Sequence, residues 1–454
     1  MAIFSLSEAI AFLTRVLKRL GVDRPLALAV ATKVWMLAAS PITFLLVASR
    51  LSENVQGFLY TFNSLLALQS FVELGLCIVI INLSSHEWAK LHFDDKGQIG
   101  GDPNAFSRLA SLVRLVFKWY AVAAGIFAVG VSIIGYRFFS QSPYQDVRWQ
   151  TPWLLLVGLT ALLLWMLPFT SLLEGCNQLT PIYKSQLSQA VLSSLLVWFT
   201  LGVGGGLWAA VVALGVRVVL TAVLLIQYRQ LFRLCFAVVD GPQVNWVSEI
   251  WPMQWRLGVS GLVNYFAFSL FTPVMFHYHG AAAAGRMGMS LAAVTGVQSV
   301  AGVWLQTKVP RFGVLIANRE YAELDRLFWR SLFSSGLIIC AGATALWILV
   351  SALYSLGHPL SERVLPPEPT VLFLLAAILM QVTQCQVTYL RAHKRDPIVV
   401  ISVVSSLAIG LLVWVLGGRF GAHGAAAGYL GVVALFIVPS VTLTWFQCRA
   451  KWHG

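Results

Sequence analysis

Lys33, Glu73, Arg217 and Arg286 are ionisable residues set inside long apolar runs of the sequence. A charge in such a run is costly to place in hydrocarbon, so it calls for a polar cavity, a partner of opposite sign, or both. Lys33 and Glu73 have two uses open to them: an ion pair that only fixes packing, or two groups facing a wet cavity, where Glu73 could carry a proton. Arg217 lies near the middle of its run, where snorkelling is difficult, which favours a cavity. Arg286 lies near the outer end of its run, just after His277 and His279, and anchoring at the membrane interface competes there. Amides recur in two runs, Asn63 and Gln69 in one, Gln381 and Gln384 in the other. They could bind sugar hydroxyls, or hydrogen-bond between helices, which is the commoner use. Three cations (Lys33, Arg217, Arg286) thus stand against one carboxylate (Glu73). A cavity of that sign attracts an anion, phosphate above all, and repels a cationic drug.

The elements that must position these residues follow from composition. The chain has 454 residues, 58% hydrophobic and only 11% charged, with a mean hydropathy of +0.78. Soluble proteins carry about one quarter charged residues. The polar residues needed to cover a water-facing surface are missing, which excludes a soluble enzyme and, despite a formal net charge of +13, a nucleic-acid-binding domain. Twelve runs are long enough to cross ~30 Å of hydrocarbon as helices: 26–48, 58–84, 112–135, 152–174, 181–203, 206–228, 256–278, 283–306, 331–355, 370–391, 398–418 and 423–446. The runs are continuous, which argues against a barrel of short alternating strands. Ahead of them, Ile10, Leu13, Leu17 and Leu20 recur at helical spacing with Arg15, Lys18 and Arg19 opposite, so residues 1–25 are expected to lie on the membrane surface as an amphipathic helix. With the N-terminus inside, 23 of the 31 Lys and Arg fall in cytoplasmic segments and six on the other side. That asymmetry predicts both termini in the cytoplasm and an even number of spans.

The chain also repeats itself. The run beginning at Pro181 and the run beginning at Pro397, aligned without a gap at an offset of 216, agree at 13 of 36 positions, including an unbroken Leu-Leu-Val-Trp and in-register glycines at Gly202 and Gly205. The offset maps spans five and six onto eleven and twelve. It predicts an N-lobe of six helices (26–230), a basic cytoplasmic linker (231–250) and a C-lobe of six more (251–454) in parallel orientation, the architecture of alternating access. The first helix of each lobe carries a proline, Pro41 and Pro273. Each kinks its helix, either as a static bend or as a candidate hinge. Catalytic signatures are missing: there is no phosphate-binding glycine loop, nucleophile elbow or metalloprotease helix. The six cysteines are scattered, with no metal spacing. Neither enzymatic chemistry, nor a metal, nor a cofactor is expected.

The twelve spans, the two six-helix halves and the stretch Tyr60 to Leu76 (YTFNSLLALQSFVELGL), followed by Ser85-His86-Glu87, resemble the bacterial polysaccharide flippases. These O-antigen-type exporters of lipid-linked oligosaccharides belong to the multidrug/oligosaccharidyl-lipid/polysaccharide (MOP) exporter superfamily. The resemblance implies an all-α polytopic fold of the MATE type, a V-shaped pair of bundles and a cationic central cavity. It implies a substrate of undecaprenyl pyrophosphate carrying a sugar unit, a place in the bacterial inner membrane among its lipids, and polysaccharide polymerase or assembly proteins as partners. Lys33, Arg217 and Arg286 are the candidates for the cavity. The drug exporters of the same superfamily use acidic cation sites, for which Glu73 is the comparable carboxylate here.

Overall fold

The structure is a computed structural model. It describes residues 24–453 except 74, 94–98, 142–146, 237–240, 252–253, 256–257, 259–264, 266–268, 307 and 394–396. The expected surface helix at 1–25 therefore lies almost wholly outside the described residues, as does much of the first half of the seventh run, 256–278.

The described residues are all-α apart from one short hairpin, β1 (Leu91–Phe93) against β2 (Ile99–Gly101). The helices, in chain order, are α1 (Arg24–Arg50), α2 (Glu53–Leu66), α3 (Gln69–Glu73), α4 (Leu76–Trp88), α5 (Pro103–Ser140), α6 (Gln150–Gly175), α7 (Leu179–Gly202), α8 (Trp208–Gln227), α9 (Arg229–Phe236), α10 (Phe271–Gln306), α11 (Val309–Ala317), α12 (Tyr321–Ser355), α13 (Pro367–Ala392), α14 (Val399–Val432) and α15 (Val438–His453). Among the described residues, seven helices are long and apolar enough to cross a membrane, or eight if a bent pair counts as one span.

This count differs from twelve for identifiable reasons. The run 181–203 forms α7, whose Ser and Gln residues dilute its apolarity. The last two runs join into one long helical stretch, interrupted where Gly421 takes φ +63°. Gly280 (φ +85°) makes the same kind of corner inside α10. The second run, expected as one helix over 58–84, is broken into α2, α3 and α4. The turn at Ala67–Leu68 ends α2, and Gly75 starts α4 in the left-handed region at φ +66°, which glycine adopts without a steric penalty. Gly205 aligns with Gly421, and the corner between α7 and α8 is made by Gly204 (φ +80°) and Gly206 (φ +57°).

Compactness divides the chain differently from the repeat. One unit comprises residues 1–43, 75–130 and 154–254; the other comprises 44–74, 131–153 and 255–454. In the first, α7 is gripped from two sides. Trp35 of α1 donates to the Ala190 carbonyl at 3.2 Å, and Trp198 donates to Thr43 at 2.9 Å. On the α8 side, Ser185, Gln189 and Ser193 bond to Leu220, Thr221 and Ala213. Serines and glutamine spaced by four residues form one stripe on a helix. Hydrogen bonds between such stripes replace the hydrophobic driving force that lipid removes.

In the second unit α2 lies backbone to backbone against α10. Gly57 faces the Ala281 carbonyl, and Gly285 faces the backbone of Glu53 and Gly57. Beside this contact Phe58, Phe62, Phe139, Trp153 and Phe276 form an aromatic core of edge-to-face and tilted pairs with ring centroids 4.9–6.1 Å apart. A separate aromatic core of Phe328, Tyr389 and Trp445 joins α12, α13 and α15.

Candidate functional site

Arg217 has the most informative placement of the four intramembrane charges. On α8 the apolar residues Trp208, Val219, Val223 and Ile226 are 45–60% exposed and mark the side turned away from the protein. At 3.6 residues per turn, Arg217 lies about 180° from Trp208 and Ile226. It shares its own side with Thr221 and Leu224, both buried, yet it is itself exposed. Its charge is therefore exposed on the side of α8 that otherwise packs into the protein. The stripe of Ser185, Gln189 and Ser193 on α7 runs beside it, with Gln189 3.3 Å from the Thr221 hydroxyl. The sequence reading missed this polar seam, although its four-residue spacing was there to be read.

The other candidates are distributed as follows. Lys33 is exposed on α1, bordering the exposed stripe of Leu26, Val30, Val34 and Leu37. Glu73 is half-buried as the last residue of α3, at the break before Gly75. Arg286 is half-buried in α10, one residue after the close contact at Gly285. Among the described residues no ion pair engages Lys33, Glu73, Arg217 or Arg286. Asn63, Gln69 and Gln384 are exposed. Gln381 is instead buried within α13, its amide nitrogen 4.0 Å from Cys385 Sγ, so it sits in the packing and not on an open surface. The neighbouring Gln386 takes the helix-to-helix use, exchanging hydrogen bonds with Thr442 at 3.0 and 3.2 Å. Pro41 lies inside α1, two residues before residue 43, where the first unit's share of that helix ends. Pro273 is buried in the first described turn of α10.

Glu87, Glu249 and Asp325 are committed to arginines away from these residues. Arg108 near the start of α5 bonds both Glu87 and Glu249, which ties the segment after α9 to the first unit. Asn245 starts a π-helical turn there by accepting from Val247 and Ser248, and its own N–H donates to Glu249 at 2.9 Å. That N–H, with the Arg108 guanidinium, holds the Glu249 carboxyl below the usual carboxylate range. In the second unit Arg449 grips Asp325 through two nitrogens, and the Tyr389 hydroxyl donates to Asp325 at 2.8 Å. Among the described residues no cluster of His, Cys, Asp and Glu could hold a metal ion.

No protein-family model matches the chain, and no curated protein matches it by sequence. Solved structures match it in fold. The lipid II flippase MurJ, in an inward closed conformation, aligns with a TM-score of 0.63 at 10% identity, covering 94% of this chain and 90% of that one. The MATE multidrug transporter DinF-BH aligns at 0.55 and 12% identity, covering 94% and 95%. The Vibrio cholerae MATE transporter VcmN, in its bent form, aligns at 0.52 and 14% identity, covering 94% and 98%. At such identities the likeness carries the fold: this chain has the all-α fold of the MOP-superfamily transporters, over nearly its whole length.

Proposed function

We propose that this protein is a flippase that moves a lipid-linked oligosaccharide, a sugar unit on undecaprenyl pyrophosphate, across the bacterial inner membrane by alternating access, with both termini in the cytoplasm. The observation that carries the reading is Arg217, a cation without an ion-pair partner among the described residues, open on the protein-facing side of a membrane helix. A guanidinium in a low-dielectric interior is a strong, two-pronged partner for phosphate oxygens. Lys33 and Arg286 supply further positive charge, the exposed amides Asn63, Gln69 and Gln384 contact the sugars, and Pro41 and Pro273 bend their helices as access alternates. The fold shared with a lipid II flippase supports a lipid-borne substrate.

The test is surface polysaccharide in cells carrying Arg217→Ala or Lys33→Ala at matched protein level. Export falls in at least one variant if these cations hold the pyrophosphate; wild-type export in both refutes the cationic-site reading. The second reading, a cation-coupled multidrug exporter, is favoured by the fold shared with MATE transporters and by Glu73, half-buried and without an ion-pair partner among the described residues. Dye efflux that Glu73→Gln abolishes, with polysaccharide unaffected, would establish it.

A further inference from the structure

One end of the second unit gathers hydrogen-bond donors that have no acceptors. Gln56 Nε2 donates to the carbonyls of Gly285 at 2.9 Å and Arg363 at 3.1 Å. The backbone preceding Arg286 and the backbone of Arg363 therefore converge on one amide nitrogen. The Tyr354 hydroxyl donates to the Val364 carbonyl at 3.0 Å, and the Leu365 N–H donates to Ser290 Oγ at 2.8 Å. These bonds pin the short 3-10 turn Pro359–Arg363 and its exit to both α10 and α12.

Arg363 Nη1 and Gln56 Oε1 in this knot, and Ser351 Oγ three residues before Tyr354 on α12, are buried and have no hydrogen-bond partner. Neither arginine has a carboxylate within ion-pair distance among the described residues. The acids on the surrounding elements are Glu53 on α2, Glu362 in the turn and Glu368 at the start of α13, and the last two are exposed. A buried guanidinium nitrogen with no acceptor is costly. An oxyanion removes that cost, because its oxygens accept from guanidinium forks and a hydroxyl at once. The orphan acceptor, Gln56 Oε1, is served by the proton of a monoprotonated phosphate or by a water beside it.

We propose that Arg286 and Arg363, with the Ser351 hydroxyl, form an oxyanion site that takes a phosphate or pyrophosphate group. The Lys and Arg asymmetry assigns this end of the protein to the outer face. The identity of the natural ligand rests on the flippase reading: there it is the substrate's pyrophosphate, held as it leaves toward the outside. The anion chemistry itself does not depend on that reading.

The experiment is thermal unfolding of the purified full-length protein, titrated with inorganic pyrophosphate against sodium chloride at matched ionic strength. A second arm reconstitutes it in phosphatidylcholine nanodiscs with or without undecaprenyl phosphate. Wild type is expected to be stabilised saturably by pyrophosphate. Binding should be at least about tenfold weaker in Arg286→Gln and in Arg363→Gln, as expected for loss of one charge-assisted bond, and be retained in Arg363→Lys, which keeps the charge if glutamine there disturbs folding. Stabilisation by the lipid and not by free pyrophosphate assigns a lipid headgroup as the source; the reverse assigns a free anion. Equal pyrophosphate responses in wild type and Arg286→Gln, or no response to either ligand, overturns the site. If binding is as expected while Arg363→Gln cells export normally, the site stands and its assignment to the flippase substrate fails.

Discussion

Replacing Gly57 by alanine tests the closest backbone contact in the second unit. A Cβ built on Gly57 would lie 1.9 Å from the Ala281 carbonyl oxygen and 2.5 Å from its carbon. Both atoms are backbone, so no rotamer change can make room. An ordinary contact needs roughly 1.5 Å more, so α2 must move away from α10 by about that much. Overpacking of this kind costs ~1–3 kcal/mol. The movement also breaks the bond from Gln56 to the Gly285 carbonyl, 2.9 Å long and made by a residue only 1% exposed. A buried amide left unpaired costs ~1–3 kcal/mol more. Together about 3 kcal/mol is expected, or roughly a hundredfold in the folding equilibrium. The control is Gly296→Ala in α10, where an added Cβ meets nothing within 4 Å. That change should be neutral or stabilising by up to ~1 kcal/mol through helix propensity. Thermal unfolding in detergent measures both, and hydrogen exchange localises the loss to α2 and the start of α10. A Gly57→Ala protein as stable as Gly296→Ala, with unchanged exchange in those segments, would refute the argument from close approach.

Three further outcomes follow from other contacts. Asp325→Ala leaves the Arg449 guanidinium and the Tyr389 hydroxyl without their shared acceptor, and should destabilise by ~2 kcal/mol. Adding Arg449→Leu should recover part of the loss, and strict additivity in that double-mutant cycle would count against the pairing. The Asn245 N–H and the Arg108 guanidinium hold the folded pKa of Glu249 below the usual carboxylate range. Its contribution is therefore full well above that range and disappears as pH falls through the folded pKa. The stability gap between wild type and Glu249→Gln should be widest near neutral pH and close in acid; a gap constant from neutral to acid pH contradicts it. Trp198→Phe removes the donor to Thr43 at 2.9 Å while keeping the ring facing Trp35. A loss of ~1 kcal/mol is expected, and Thr43→Val should add little to it.

The sequence by itself determined the solvent of this chain, the position of most of its helices and the corner glycines of its repeat. Hydropathy and backbone permissiveness are local and nearly additive, so Gly421 and the Gly204–Gly206 segment mark turns whatever surrounds them. The all-α fold that the resemblance implies is shared with solved transporter structures, while the flippase subfamily it named is not settled by that likeness. Facing and partnership were decided only in three dimensions. Arg217 and Gln381 both read as polar residues in apolar runs, yet one is exposed on the protein-facing side of its helix and the other is sealed into packing. The break of the second run at Gly75, and the approach of Arg363 to Gln56 from 307 residues away, depend on which elements meet. A charge in a membrane helix becomes a binding group or a structural one according to the atoms opposite it, and those atoms come from distant parts of the chain.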